Sequence, residues 1–183
     1  MSGPSPGPSP SSRFAEIVLP HLDAGYNFAR WLTRSRPDAE DVVQEACARA
    51  LRYIAGFHGE SGRAWFLAIV RNAAYDWLER NRSGELSDEA SIEDVADESA
   101  TPEAIVIRRA EGRMLAQAIA ALPVGYREVL ILRELEELSY KEIARVADIP
   151  VGTVMSRLAR ARALLMRSPY LHPIDERVAG GGT

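Results

Sequence analysis

Between residues 83 and 104 the chain carries eight acidic residues and no basic one, and that stretch cannot join a core. Its few large apolar residues do not offset the entropy of ordering the backbone, and its like charges repel one another. A chain of 183 residues interrupted in this way is expected to fold as two small units rather than one. We therefore expect a disordered N-terminal tail over 1–12, a first unit over 13–82, a flexible acidic linker over 83–103, a second unit over 104–167 and a flexible tail over 168–183.

Within both units the apolar residues recur at helical intervals, and no strict alternation is found. The fold class is accordingly all-α. Phe14 to Thr33 reads as a first helix, with Pro20 a point of interruption. Asp38 to Ile54 reads as a second, capped by Asp38, with Val42, Val43, Ala46, Ala50 and Leu51 on one stripe. A glycine-rich loop over 55–62 leads into a third helix, Arg63 to Arg80, whose inner face holds Phe66, Val70, Ala73 and Trp77. Beyond the acidic stretch, Thr101-Pro102-Glu103 is a helix-start signal for a helix reaching Ala121. Tyr126 to Glu137 follows, with Val129, Leu130, Leu132 and Leu135 apolar. Ser139-Tyr140-Lys141-Glu142 is a capping box opening a short helix that ends near Asp148, and Val151 to Met166 is a last, basic helix. The sequence thus predicts three helices in the first unit and four in the second.

Several classes of function find no support in these residues. One cysteine, Cys47, excludes an internal disulfide and a cysteine-based metal cluster, and it reads as a small core residue. The three histidines are scattered, no apolar run approaches membrane-spanning length, and residues 1–12 do not resemble a signal peptide. No nucleophile–base pair or phosphate loop is visible, so we expect a cytoplasmic non-enzyme with no cofactor, metal or small-molecule substrate.

Residues 139–166 have the form of a helix-turn-helix: a short helix, a tight turn and a longer helix. Val154, Leu158, Ala161 and Leu165 are spaced to pack inward, which leaves Thr153, Ser156, Arg157 and Arg160 toward the outside. From Thr153 to Arg167 there are four arginines and no acid. Arginine can bridge a guanine edge with two hydrogen bonds or clamp a phosphate. Spacing alone leaves open a merely solvated basic face.

Three motifs narrow the choice. Leu122-Pro123, Arg127-Glu128-Val129-Leu130, Leu138-Ser139-Tyr140-Lys141-Glu142-Ile143-Ala144 and residues 149–162 resemble the fourth domain of bacterial RNA polymerase sigma factors. Residues 38–45 (DAEDVVQE) resemble the polymerase-binding helix of the second sigma domain, and residues 65–72 (WFLAIVRN) its promoter-melting helix. Together they cover about residues 13–167, with no room for a further middle domain, so the chain resembles the compact extracytoplasmic-function (ECF) class. Asp148 stands where relatives often have glycine, and Met155 where many are basic. Aspartate accepts left-handed backbone better than most residues, so the turn should survive.

The resemblance implies core RNA polymerase, promoter DNA and an anti-sigma factor as partners. It places Thr153, Ser156, Arg157 and Arg160 on the −35 duplex, and Arg71 and Asn72 beside the melted −10 strand. The 55–62 loop is the matching candidate base pocket, with Phe57 and His58 available for stacking and Arg80 and Arg82 for upstream phosphates. Asp38, Glu40, Asp41 and Glu45 match the surface that docks on the polymerase coiled coil, and 126–138 the part that grips its flap. Trp65, Phe66 and Trp77 read as core instead, and Arg80 and Arg82 equally suit a helix C-terminus.

Elements about 25 base pairs apart lie about 85 Å from each other at ~3.4 Å per pair. The linker reaches about 70 Å when extended, against roughly 25 Å as a free coil. A nearly extended linker therefore suffices, and a collapsed one does not. Two rivals remain. A free-standing helix-turn-helix regulator fits poorly with a pI near 5.5 and leaves residues 13–82 idle. A protein-binding decoy fits poorly with the arginines of the last helix.

Overall fold

The computed structural model describes residues 9–59, 61–81 and 102–171, with side chains from Ala110 onward in the last stretch. Arg82 and residues 83–101 of the expected linker lie outside the described residues, while its last two residues, Pro102 and Glu103, already belong to a helix. Those described are helical with no strand among them.

In the first unit serines and prolines set the punctuation. Helix α1 (Pro10–Ile17) opens with proline in its first turn and Ser9 accepting from the Ser12 amide at 3.2 Å. Residues 9–12, part of the segment whose composition reads as a tail, are therefore built into this helix and its cap. Pro20 has no amide to continue the ladder, so the chain passes through a 3-10 turn (Leu19–His21) before α2 (Leu22–Thr33). Helix α3 (Arg36–Tyr53) begins two residues earlier than Asp38, because Ser35 is the cap and the Asp38 amide donates to it at 3.5 Å. Helix α4 (Gly62–Arg80) is capped by Ser61, which accepts from the Ala64 amide at 3.1 Å.

The expected stripe on α3 is buried at Val42, Ala46 and Ala50, whereas Leu51 is exposed. Phe28, Leu32, Phe66, Leu67 and Val70 form the centre of this unit. Gly25 is what lets α2 cross α4: a Cβ there would stand 2.6 Å from the Phe66 ring.

The second unit comprises α5 (Pro102–Ala120), α6 (Val124–Glu134), α7 (Tyr140–Ala147) and α8 (Val151–Met166). Thr101, the expected cap of α5, lies outside the described residues. Helix α6 stops three residues short of the expected Glu137. The amides of Leu135 and Glu136 both donate to the Ile131 carbonyl, the Leu138 amide reaches Leu132, and Glu137 takes a left-handed φ of 52°. This tightening turns Leu135 out to 52% exposure and Glu136 in to 5%, the reverse of what apolar spacing predicts. Beyond α8, Ser168 is buried and its carbonyl accepts from the Leu171 amide, so ordered chain continues into the expected tail.

The two units are in contact. Helix α2 packs against α6, and α4 against α7.

Candidate nucleic-acid interface

The helix-turn-helix is built as its sequence suggests. Ser139 Oγ accepts from the Glu142 amide at 3.3 Å, while the Ser139 amide donates to Glu142 Oε2 at 2.9 Å. These bonds to its charged form, with the Ser139 hydroxyl donating at 2.7 Å, hold the Glu142 carboxyl below its ordinary 4.5. Asp148 adopts left-handed backbone (φ 52°, ψ 51°) and its amide donates to Ala144, closing α7 without glycine. Helix α8 then buries Val154, Leu158 and Ala161.

Its outer face presents Met155, Ser156, Ala159 and Arg160 to solvent, with Thr153 half-buried. Ser156 Oγ donates to the Thr153 carbonyl at 3.1 Å, so in this state the hydroxyl faces its own helix. Arg162, also exposed, pairs with Glu134 at 2.6 Å. Arg157 turns the other way, and its Nη1 lies 3.9 Å from Glu128 Oε2.

On the first unit the 55–62 loop borders a cavity of about 480 Å³ lined by Arg13, Glu16, Ile17, His21, Phe57, His58, Gly59 and Gly62. One face of Phe57 is already taken by Trp65, with ring centroids 4.7 Å apart. His58 is exposed at the rim. Arg13, from α1, holds the loop: its Nη2 donates to the Phe57 carbonyl at 2.5 Å and Nη1 to Ala55 at 3.2 Å. Burial, then the Arg63 charge, keeps His21 below its ordinary 6.5, hence neutral near pH 7. Gly62 is required for close approach, since a Cβ there would meet Ile17 at 2.8 Å.

The remaining candidates sit as follows. Glu40, Asp41 and Glu45 are exposed on α3, and Asp38 is half-buried. Glu45 is not free: Arg49 bridges it at 2.7 Å and Asp76 at 2.8 Å, tying α3 to α4. Arg80 donates to the Asp76 carbonyl at 3.1 Å, near the C-terminus of α4. Asn72 is exposed and accepts from Arg71 Nη1 at 3.5 Å.

Arg71 itself lies in the contact between units. Its Nε donates to Glu128 Oε1, and its guanidinium stacks 4.2 Å over the Tyr75 ring. The Tyr75 hydroxyl donates to Glu128 Oε2 at 2.8 Å, and burial with the adjacent carboxylate pushes that phenol well up. Glu128 is fully buried, so its charge is held by Arg71 and Tyr75 from the first unit and Arg157 from its own. A second ion pair joins Arg63 to the buried Glu136. Arg127, also buried, donates to the carbonyls of Ala120 (2.6 Å) and Leu122 (3.1 Å), with Leu32 across the boundary at 3.4 Å. Desolvation, with Arg34 nearby, lowers it to about 10.

Sequence reasoning missed Arg13, Arg63, Tyr75, Glu128 and Glu136 as interacting groups. One signal was available: Glu128 stands at the head of the apolar run Val129–Leu132 of α6, and an acid buried there needs a cationic partner.

A two-unit helical protein ending in a helix-turn-helix with an acid-free recognition helix belongs to the class of DNA-reading transcription proteins. Residues 17–84 match Sigma-70 region 2, and residues 112–165 match Sigma-70, region 4. The chain is 37% identical over 145 residues to the ECF RNA polymerase sigma-E factor of Haemophilus influenzae, covering 73% of this chain and 77% of that protein. It is 38% identical over 134 residues to that of Escherichia coli K12, covering 68% and 70%. Among solved structures it resembles the sigma factor RpoE of Bartonella quintana, crystallised with the anti-sigma factor NepR. There the TM-score is 0.65 and identity 29%, covering 88% of this chain and 98% of that one. The chain belongs to the ECF sigma factors, and is a promoter-recognition factor for RNA polymerase.

Proposed function

We propose that this sigma factor divides promoter reading between its units, with core RNA polymerase holding both in place. Helix α8 enters the major groove of the −35 duplex through Thr153, Ser156, Arg157 and Arg160. The first unit takes a base of the melted −10 strand into the 55–62 loop cavity beside Phe57 and His58, with Arg71, Asn72, Arg80 and Arg82 along the strand. Asp38, Glu40, Asp41 and Glu45 present α3 to the polymerase. The chain acts without catalysis in the cytoplasm, and an anti-sigma factor of the kind bound to its structural relative holds it in check. The observation that carries this reading is the outer face of α8, where Ser156 and Arg160 are exposed and no acid lies between Thr153 and Arg167.

A net charge of −4 gives the isolated chain little phosphate affinity. Run-off transcription with purified core polymerase tests the proposal. Specific starts are expected with core present, and only weak duplex binding by the chain alone at physiological salt. A tight, specific duplex complex without polymerase, or no specific start with it, would contradict the reading.

A further inference from the structure

Helix α1 borders the loop that the reading above assigns to an extruded base, yet none of its residues has a role in that reading. It packs against the 3-10 turn Ile54–Gly56 at the head of the loop. Arg13, Glu16 and Ile17 of α1 line the cavity of about 480 Å³, a volume within the roughly 300–1,000 Å³ usual for small-ligand pockets. Ile17 is in close contact with Gly62. Arg13 is committed to the loop, because its two Nη atoms donate to the Phe57 and Ala55 carbonyls. Trp65 stacks on Phe57, so the loop is held by a second contact as well.

Glu16 stands apart. It is exposed, and among the described residues no hydrogen bond or ion pair engages it. It is the one acid lining the cavity, and His21 brings no competing cation there, since burial and then the Arg63 charge keep it below its ordinary 6.5. A carboxylate beside a melted strand is repelled by the phosphates, so it opposes binding unless a donor on the DNA compensates. Its oxygens only accept. Cytosine offers an amino group at N4 and adenine one at N6, whereas thymine presents the acceptor O4.

We propose that Glu16 is a specificity-determining residue of the base pocket, accepting from the exocyclic amino group of the extruded base and disfavouring thymine. Arg13 is the positioning residue that holds the loop opposite it. This rests on the assignment of the 55–62 loop to the melted −10 strand.

The test is transcription by the holoenzyme from promoters randomised over the −10 element, with the −35 element randomised in parallel. Wild type should prefer an amino-bearing base over thymine at one −10 position, by on the order of ten- to hundredfold. Glu16→Gln keeps the side chain's size and adds an amide donor that can meet thymine O4, so discrimination there should fall by about tenfold. Arg13→Ala should weaken discrimination at the same position, and Arg13→Lys should recover part of it, since an ammonium can still donate to a loop carbonyl. Preference at the −35 element should stay as in wild type. If Glu16→Gln lowers discrimination against thymine at no −10 position, or lowers discrimination equally at both elements, the proposal is overturned. His58→Ala separates this outcome from the reading beneath it. A change at −10 in His58→Ala with none in Glu16→Gln removes Glu16 and leaves the pocket, whereas silence in both removes the pocket assignment itself.

Discussion

The two halves of the molecule bury different kinds of group. Residues 9–81 enclose Phe28, Leu32, Phe66 and Leu67, and among their described residues the buried polar one is Thr33, whose hydroxyl donates locally to Ala29 at 3.0 Å. Residues 110–171 enclose aliphatic side chains together with Arg127, Glu128 and Glu136. All three of those charges find a partner in the first unit: the Leu32 carbonyl, Arg71 with Tyr75, and Arg63. The core of the first unit is apolar, and it is continuous with the aliphatic core of the second. The second carries buried charge that its own groups match in part, through the Ala120 and Leu122 carbonyls and Arg157, and that the first unit completes.

The comparison breaks most visibly at Glu128. Glu128→Ala leaves Arg71 and Arg157 without their anion and should cost about 3–5 kcal/mol of stability. Hydrogen exchange should rise in α4 as well as in α6. Phe66→Ala should cost a similar ~3–5 kcal/mol by opening a cavity, but with its first effect confined to α2, α3 and α4. A Glu128→Ala loss below about 1 kcal/mol in urea denaturation would show that the charge is not buried in solution.

A smaller effect sharpens the account of the helix-turn-helix. Ser139→Ala removes the cap of α7 and should cost about 1 kcal/mol. The pH dependence follows from the same bonds. Glu142 has a folded value below its ordinary 4.5, so its contribution is fully present above that value and disappears as pH falls through the lower folded one. Wild type should therefore lose more stability than Ser139→Ala on acidification below about 4.5. Smallest of all, Arg49→Ala at the exposed Glu45–Arg49–Asp76 bridge should cost under about 1 kcal/mol, and less at high salt.

Local signals made much of this legible in the sequence. Pro20, the Ser139–Glu142 box and the helical spacing of Val154, Leu158 and Ala161 act within a few residues of where they are read, whereas the sequence reading misses the caps Ser35 and Ser61 and places the cap of α3 at Asp38. Arg160 could be placed outside for the same reason. The Leu135–Glu136 inversion was not legible, because it depends on how α6 tightens at its last turn rather than on spacing. Nor was the inward fate of Arg157 and Arg71: their partner, Glu128, is 29 positions from one and 57 from the other in sequence. Spacing cannot report a pairing that exists only once two units meet. The first turn of helix α1 escaped notice, with Phe14 read as its start, because Pro and Ser read as tail until Ser9 and Pro10 are recognised as a helix start.

The division of promoter reading between the units is tested most directly by transcription from promoter libraries randomised at both elements, with core polymerase and either Arg160→Ala or His58→Ala. Arg160→Ala should flatten base preference only upstream, at about 1–3 kcal/mol for the base it contacts, and His58→Ala only in the downstream, melted element. Either variant altering preference at the other element, or neither altering preference at all, would contradict the account.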